Sequence, residues 1–190
     1  GAIHNHSEIS HDSEVPFETI LQVMKEIDCD FIAMSDHCLE DGTADYGAQW
    51  RGIRDGKLFI PGFEMNGGFM PWGLERNIVL DCGKPFPELA AEIEEKGGLL
   101  FIAHPEEPRL WELPQIKGME IYNLHADLKD EDYKTLAPDL LLNLWAWPEQ
   151  TYRLIFDRNT DVLANWDKMN LTRDISGVAA NDCHQNNGIY

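Results

Sequence analysis

Residues 30–37 read DFIAMSDH, an apolar run that stops on an acid and an imidazole. Phe31 to Met34 carry no polar break, as expected of a strand buried on both faces. Asp36 and His37 then fall at its C-terminal end. The same shape recurs along the chain. AIHNH (2–6) closes on His4 and His6, and KLFIPGFEMN (57–66) reaches Glu64. LLFIAHP (99–105) ends on His104, and SGVAANDCH (176–184) ends on Asp182 and His184. NIVLD (77–81) and GMEIYN (118–123) are two further strand candidates.

Helical patterns fill the gaps. Val15-Pro16 opens a helix running to about Ile27, with Phe17, Ile20, Leu21, Met24 and Ile27 at helical spacing. PFPELAAEIEEKGG (85–98) is a helix with a glycine stop, and 148–169 also reads as helical. Buried strands alternating with helices predict an α/β fold with parallel strands. In an α/β barrel the C-terminal strand ends converge on the face that carries the site. Five strands delivering His, Asp or Glu to that face predict a metal cluster.

Composition bounds the reading. The chain has 190 residues, which suits one domain with a substantial core, and residues 1–190 are read as a single domain. It ends six residues after His184, so truncation after the last strand is part of that expectation. Acidic residues outnumber basic ones 34 to 15, a net charge of −19. That charge argues against nucleic acid, which needs a positive track, and against an anionic membrane surface. A small anionic substrate stays compatible, because metal ions reverse the local sign. No apolar run approaches a membrane-spanning length. There is no initiator Met, so a leader removed upstream of residue 1 is compatible with the sequence. The compartment and the oligomeric state are left open. Cys29, Cys38, Cys82 and Cys183 show no paired spacing and are expected as reduced or buried thiols.

The first strand runs into IHNHSEISHDS (3–13). His4 and His6 are two apart, so on a strand they share a face, with Cα atoms about 6.5 Å apart. His11 and Asp12 follow in the next turn. NDCH (181–184) repeats the two-apart geometry with Asp182 and His184.

In the order H-x-H, S-D-H, G-x-E, A-H-P and D-x-H, from residue 4 to residue 184, the chain resembles the polymerase-and-histidinol-phosphatase (PHP) superfamily. The resemblance implies a distorted (β/α)7 barrel, two or three divalent ions (Zn, Mn or Fe) and hydrolysis of phosphoesters. Carried over, it gives His4, His6, Glu64 and Asp182 to one metal. Glu64 bridges to a second metal with His104, and His11, His37 and His184 hold a third. Asp12 is the alternative to His11, which is preferred. The resemblance also implies a further histidine for the second metal, between the bridging Glu and A-H-P. None occurs between His37 and His104, so Glu75, Asn77 and Asp81 are the expected stand-ins.

Glu64, as the bridge, and Asp36, as a partner orienting a ligand histidine, are the candidate catalytic residues. Metal ions polarise a phosphoryl oxygen and lower the pKa of a water towards neutrality. Arg76, Arg109 and His125 are the candidate substrate-binding residues. EMNGGFMPWG (64–73) is the expected substrate loop. The leading expectation is a metal-dependent phosphoesterase acting on a small organic phosphate. The alternatives are a metallohydrolase of carboxylic or carbamic esters and a degenerate barrel serving as a binding module.

Overall fold

The computed structural model describes residues 1–130, 143, 145–147, 156 and 158–184. Two four-stranded sheets frame it. In the first, β1 (Ala2–Ile3), β2 (Phe31–Ala33) and β6 (Lys57–Ile60) run parallel, and β5 (Gly52–Arg54) folds back antiparallel at the edge. In the second, β10 (Leu99–Ile102), β11 (Ile116–Asn123) and β12 (Ser176–Ala180) are parallel, with β8 (Phe69–Trp72) antiparallel beside β10. Two short pairs complete the set: β3 (Asp36–His37) with β7 (Phe63–Glu64), and β4 (Thr43–Asp45) with β9 (Val79–Asp81). The α-helices among the described residues are α1 (Phe17–Glu26), α2 (Phe86–Glu95), α3 (Leu124–Asp130) and α4 (Thr160–Asn170).

The expected distorted (β/α)7 barrel does not form. Among the described residues no sheet closes on itself. The two large sheets meet through isolated bridges, Asn5 to Cys183 and Gly62 to Trp72, instead of continuous ladders. A barrel of this kind needs a crossover helix after each strand. Residues 38–56 supply none: Gly42, Gly52 and Gly56 have positive φ, and β4 and β5 occupy the space between β3 and β6.

The stretch 64–73, expected as a substrate loop, is divided. Met65 to Gly68 reach the cleft, but Phe69 to Trp72 are buried as β8. Pro71 is tolerated there because β8 lies at the edge of its sheet. The helix expected over 148–169 is present in its second half as α4, and most of 148–157 lies outside the described residues.

Two cores back the strands. α1 lays Phe17, Ile20 and Met24 on Ile32, Met34 and Phe59. Asp28, at φ 53°, then turns the chain out of the helix and into β2. Leu89, Ala90 and Ile93 of α2 join Leu100, Ile102, Ile116 and Met119, together with Val162 and Met169 of α4. Each such large aliphatic side chain contributes about 1.5–3 kcal/mol by leaving water.

Cys38 and Cys82, expected as thiols, are joined in a disulfide. The antiparallel β4–β9 pair and the Cys82 N–H bond to Gly42 O bring the two together. Cys29 and Cys183 are free.

Candidate metal centre

The site lies where the parallel strands end. After Ile3 the chain is laced to the segment following β12. Asn181 N donates to Ile3 O at 3.0 Å, and His6 N donates to Cys183 O at 3.0 Å. This lacing sets His4 and His6 beside Asp182. His4, His104 and Asp182 all have positive φ, at 62°, 48° and 52°. Left-handed backbone at a non-glycine residue costs about 1–3 kcal/mol and persists only where the surroundings enforce it. Here three strand ends leave their sheets this way at one place.

The ligand atoms converge tightly. His4 Nε2 lies 3.2 Å from Glu64 Oε2 and 3.4 Å from Asp182 Oδ1. His104 Nε2 lies 3.2 Å from the other Glu64 oxygen, Oε1, and 3.4 Å from Asp182 Oδ2. His37 Nε2 is 3.2 Å from Asp12 Oδ2 and 3.7 Å from Glu64 Oε2. His125 Nδ1 is 3.1 Å from Asp182 Oδ2, and His184 Nε2 is 3.1 Å from His125 Nδ1. Four trios have ligand atoms within 4.8 Å of one another: His4, His6 and Glu64; His4, His104 and Asp182; His6, Asp12 and His37; and His125, Asp182 and His184.

His6 tests whether cations fit this cluster. Ser10 has one hydroxyl proton and donates it to Asp12, an acceptor-only carboxylate. Ser10 Oγ must therefore accept from His6 Nδ1, 3.1 Å away. That assigns the proton of a neutral His6 to Nδ1 and turns a bare Nε2 towards Asp182 Oδ1 at 3.5 Å. This nitrogen is buried and has no hydrogen-bond partner among the described residues. A buried lone pair facing carboxylates is what a divalent cation completes, and nitrogen with carboxylate oxygen is the donor set of transition metals.

The charges reinforce one another. Burial would lower the His4 pKa, but Glu120 and then Glu64 hold it well above the ordinary imidazole value. Burial would also lower His104, yet Glu106 and Glu64 raise it to about 10. Burial would raise Glu64, but His104 and His4 pull it well below the ordinary carboxylate range. Asp182 is lowered as well: burial opposes, and the neighbouring imidazoles outweigh it.

The structure gathers His37, Glu64, His104, Asp182 and His184 around one cleft of about 600 Å³, with Arg109 and His125 in its walls, while His4 and His6 are buried against Glu64 and Asp182. His11 also lines the cleft, but its exposed ring lies tilted 4.7 Å from that of His37 and joins no trio. Asp12, the alternative, stands against His37 and His6. Arg109 is held by Ala103 O and Glu107. Gly68 permits that approach, since a Cβ there would lie 2.3 Å from Arg109 Nε. Arg76 is exposed on the turn before β9, outside the cleft. Glu75, Asn77 and Asp81 are exposed as well and outside the cleft, so they do not stand in for the missing histidine. Asp36 is fully buried and orients no histidine through its oxygens. It accepts from Ser7 N, Ser7 Oγ and Gln49 Nε2, and so fixes the turn after His6.

Sequence reasoning missed Glu120. It is fully buried on β11, accepting from His4 Nδ1 and, at 2.9 Å, from His104 N. The signal was available: an acid inside the apolar run GMEIYN, where an unpartnered charge is rarely buried.

No family model matches the sequence, and no curated protein matches it. Among solved structures the chain is similar to a two-domain protein from Bacteroides vulgatus ATCC 8482, containing a predicted PHP-like metal-dependent phosphoesterase. The TM-score is 0.59 at 14% identity, covering 97% of this chain and 52% of the other. The chain thus spans about half the length of the structure it matches, and the likeness is one of fold.

Proposed function

We propose that this protein is a metal-dependent phosphoesterase that hydrolyses a small organic phosphate in the cleft over Glu64. The observation that carries the reading is the buried Nε2 of His6, without a hydrogen-bond partner among the described residues and set among Glu64, Asp182 and His4. The fold likeness to a structure with a PHP-like phosphoesterase supports the choice of bond.

In this reading His4, His6, Glu64 and Asp182 hold one divalent ion, and Glu64, His104, Asp182 and His125 hold a second. Divalent ions supply Lewis acidity to a phosphoryl oxygen and lower the pKa of a water. The two oxygens of Glu64 face different imidazoles, His4 and His104, which suits a bridging carboxylate. His125 supplies the nitrogen that the stretch between His37 and His104 lacks. Asp12, His37 and His184 are the candidate ligands of a third ion. Arg109, and Lys129 of α3, bring positive charge to a cleft otherwise rich in carboxylates and so favour the phosphoryl group.

The test is a substrate panel. Protein loaded with Mn²⁺ or Zn²⁺ should release inorganic phosphate from small phosphomonoesters or diesters, and chelation should abolish release. Turnover of carboxylic or carbamic esters alone would replace the phosphoesterase reading with the other metallohydrolase. Absence of turnover on the whole panel by metal-loaded protein would argue for a binding module.

A further inference from the structure

Glu120 occupies a position that the proposed chemistry leaves unexplained. It sits near the C-terminal end of β11, the strand between β10 and β12, with no exposed surface. Leaving a carboxylate there is costly unless both oxygens are satisfied. Both are. Oε1 accepts from His4 Nδ1. Oε2 accepts from His104 N at 2.9 Å and from Asn123 Nδ2 at 3.1 Å. Asn123 carries the connection further. Its Oδ1 accepts from Ala126 N at 3.0 Å, capping the first turn of α3, and that turn presents His125. Its Nδ2 also lies 3.4 Å from Asp182 Oδ2.

One carboxylate therefore ties β1, β10 and β11 together at their C-terminal ends. Two of its partners, His4 and His104, are residues with left-handed backbone. The bond to His104 N fastens that turn. The bond to His4 Nδ1 does something more specific: with its proton on Nδ1, a neutral His4 must offer Nε2 as the bare nitrogen. Nε2 is the atom facing Glu64 and Asp182. An imidazole whose second nitrogen is bonded to a carboxylate is fixed in tautomer and ring angle, and is a more basic ligand.

We propose that Glu120 is a positioning residue that selects the metal-binding tautomer of His4 and pins the His104 turn, so that both imidazoles meet the ions in register. The inference rests on the metal-centre reading above and deepens it. Glu120→Gln discriminates, because an amide has one acceptor where three donors converge. If its oxygen stays on His4, the NH₂ group confronts His104 N–H and Asn123 NH₂. If it flips, the NH₂ group faces His4 Nδ1 and drives the proton to Nε2.

The experiment compares Zn²⁺ affinity, by chelator competition, in wild type, Glu120→Gln and Glu64→Gln, and records imidazole ¹⁵N–¹H spectra of Zn²⁺-loaded protein. Glu120→Gln should weaken binding about 10- to 100-fold. The wild-type spectrum should show a slowly exchanging His4 Nδ1–H, which in the variant is either lost to Nε2, if the amide flips, or exchanges faster, if its oxygen stays on His4 without the fixed carboxylate. A folded Glu120→Gln with wild-type affinity, beside a weakened Glu64→Gln, overturns the inference and leaves the metal centre standing. Wild type without Zn²⁺ binding overturns both. If Glu120→Gln does not fold, the wild-type spectrum decides alone: His4 protonated on Nε2 in the Zn²⁺-loaded protein overturns the role of Glu120.

Discussion

Asp12 Oδ2 lies 3.2 Å from His37 Nε2, while its neighbour His11 sets its ring at a tilt 4.7 Å from that of His37 and joins none of the four trios. Ser10 fixes this choice. It donates to Asp12 and accepts from His37 N at 3.0 Å, so the turn delivers the carboxylate inward. Asp12→Asn should therefore remove the ion held with His37, lowering its affinity by at least the 10-fold that losing an outer-sphere partner typically costs, roughly. His11→Gln should keep it. Metal titration of the two variants checks this, and the reverse ranking would return the role to His11.

Cys38 follows His37 directly, and its bond to Cys82 anchors the His37 segment to the end of β9. The bridge closes a loop with a sequence separation of 44 residues. By the chain-entropy argument that is worth about 4 kcal/mol. A dithiol reductant, or the Cys38→Ser, Cys82→Ser pair, should lower the melting temperature by about 10 °C. Calorimetry on oxidised and reduced protein measures it, and identical melting curves would count against the bridge.

The pKa shifts give metal binding a pH dependence. His104 is raised to about 10 and so carries a second proton at neutral pH in the metal-free protein, and His4 is shifted in the same direction by Glu120 and Glu64. His104 thus stabilises the metal-free fold below its unfolded value of about 6.5, an advantage lost as pH rises through about 10. The depressed carboxylates Glu64 and Asp182 act in the opposite sense. Their contribution is present above the ordinary carboxylate range and is lost on acidification. Ions must displace the imidazole protons, so metal uptake at pH 7 should release protons and tighten as pH rises. Calorimetric titration in buffers of different ionisation enthalpy reads this directly. A buffer-independent heat would contradict it.

Net charge bears on substrate size. At −19, the chain repels polyanions at a distance, so small esters should be turned over and long single-stranded DNA should not. An assay of both at physiological salt decides it. Efficient DNA cleavage would overturn the small-substrate reading.

The gathering of His, Asp and Glu side chains at strand ends was legible because each follows an apolar run: His4 after Ala2-Ile3, Glu64 after the segment of β6, and His104 after β10. Closure into a barrel was not legible. It depends on whether the connections form helices, and the glycines of 38–56 route the chain through short strands instead. Glu120 escaped because its partners His4 and His104 are remote in sequence, and only folding brings them to β11. That Asp12, and not His11, faces His37 Nε2 turns on the hydroxyl of Ser10, a contact that spacing does not encode. The Cys38–Cys82 pairing depends on the β4–β9 ladder, whose first strand lies in a stretch with no clear period.

Anomalous diffraction from crystals grown at saturating Mn²⁺ tests the central claim most directly. Two strong peaks should flank Glu64, one beside His4, His6 and Asp182 and the other beside His104 and His125. A third, weaker peak is expected at Asp12 and His37. A cleft without anomalous density at saturating Mn²⁺, or Mn²⁺ bound only at surface carboxylates, would contradict it.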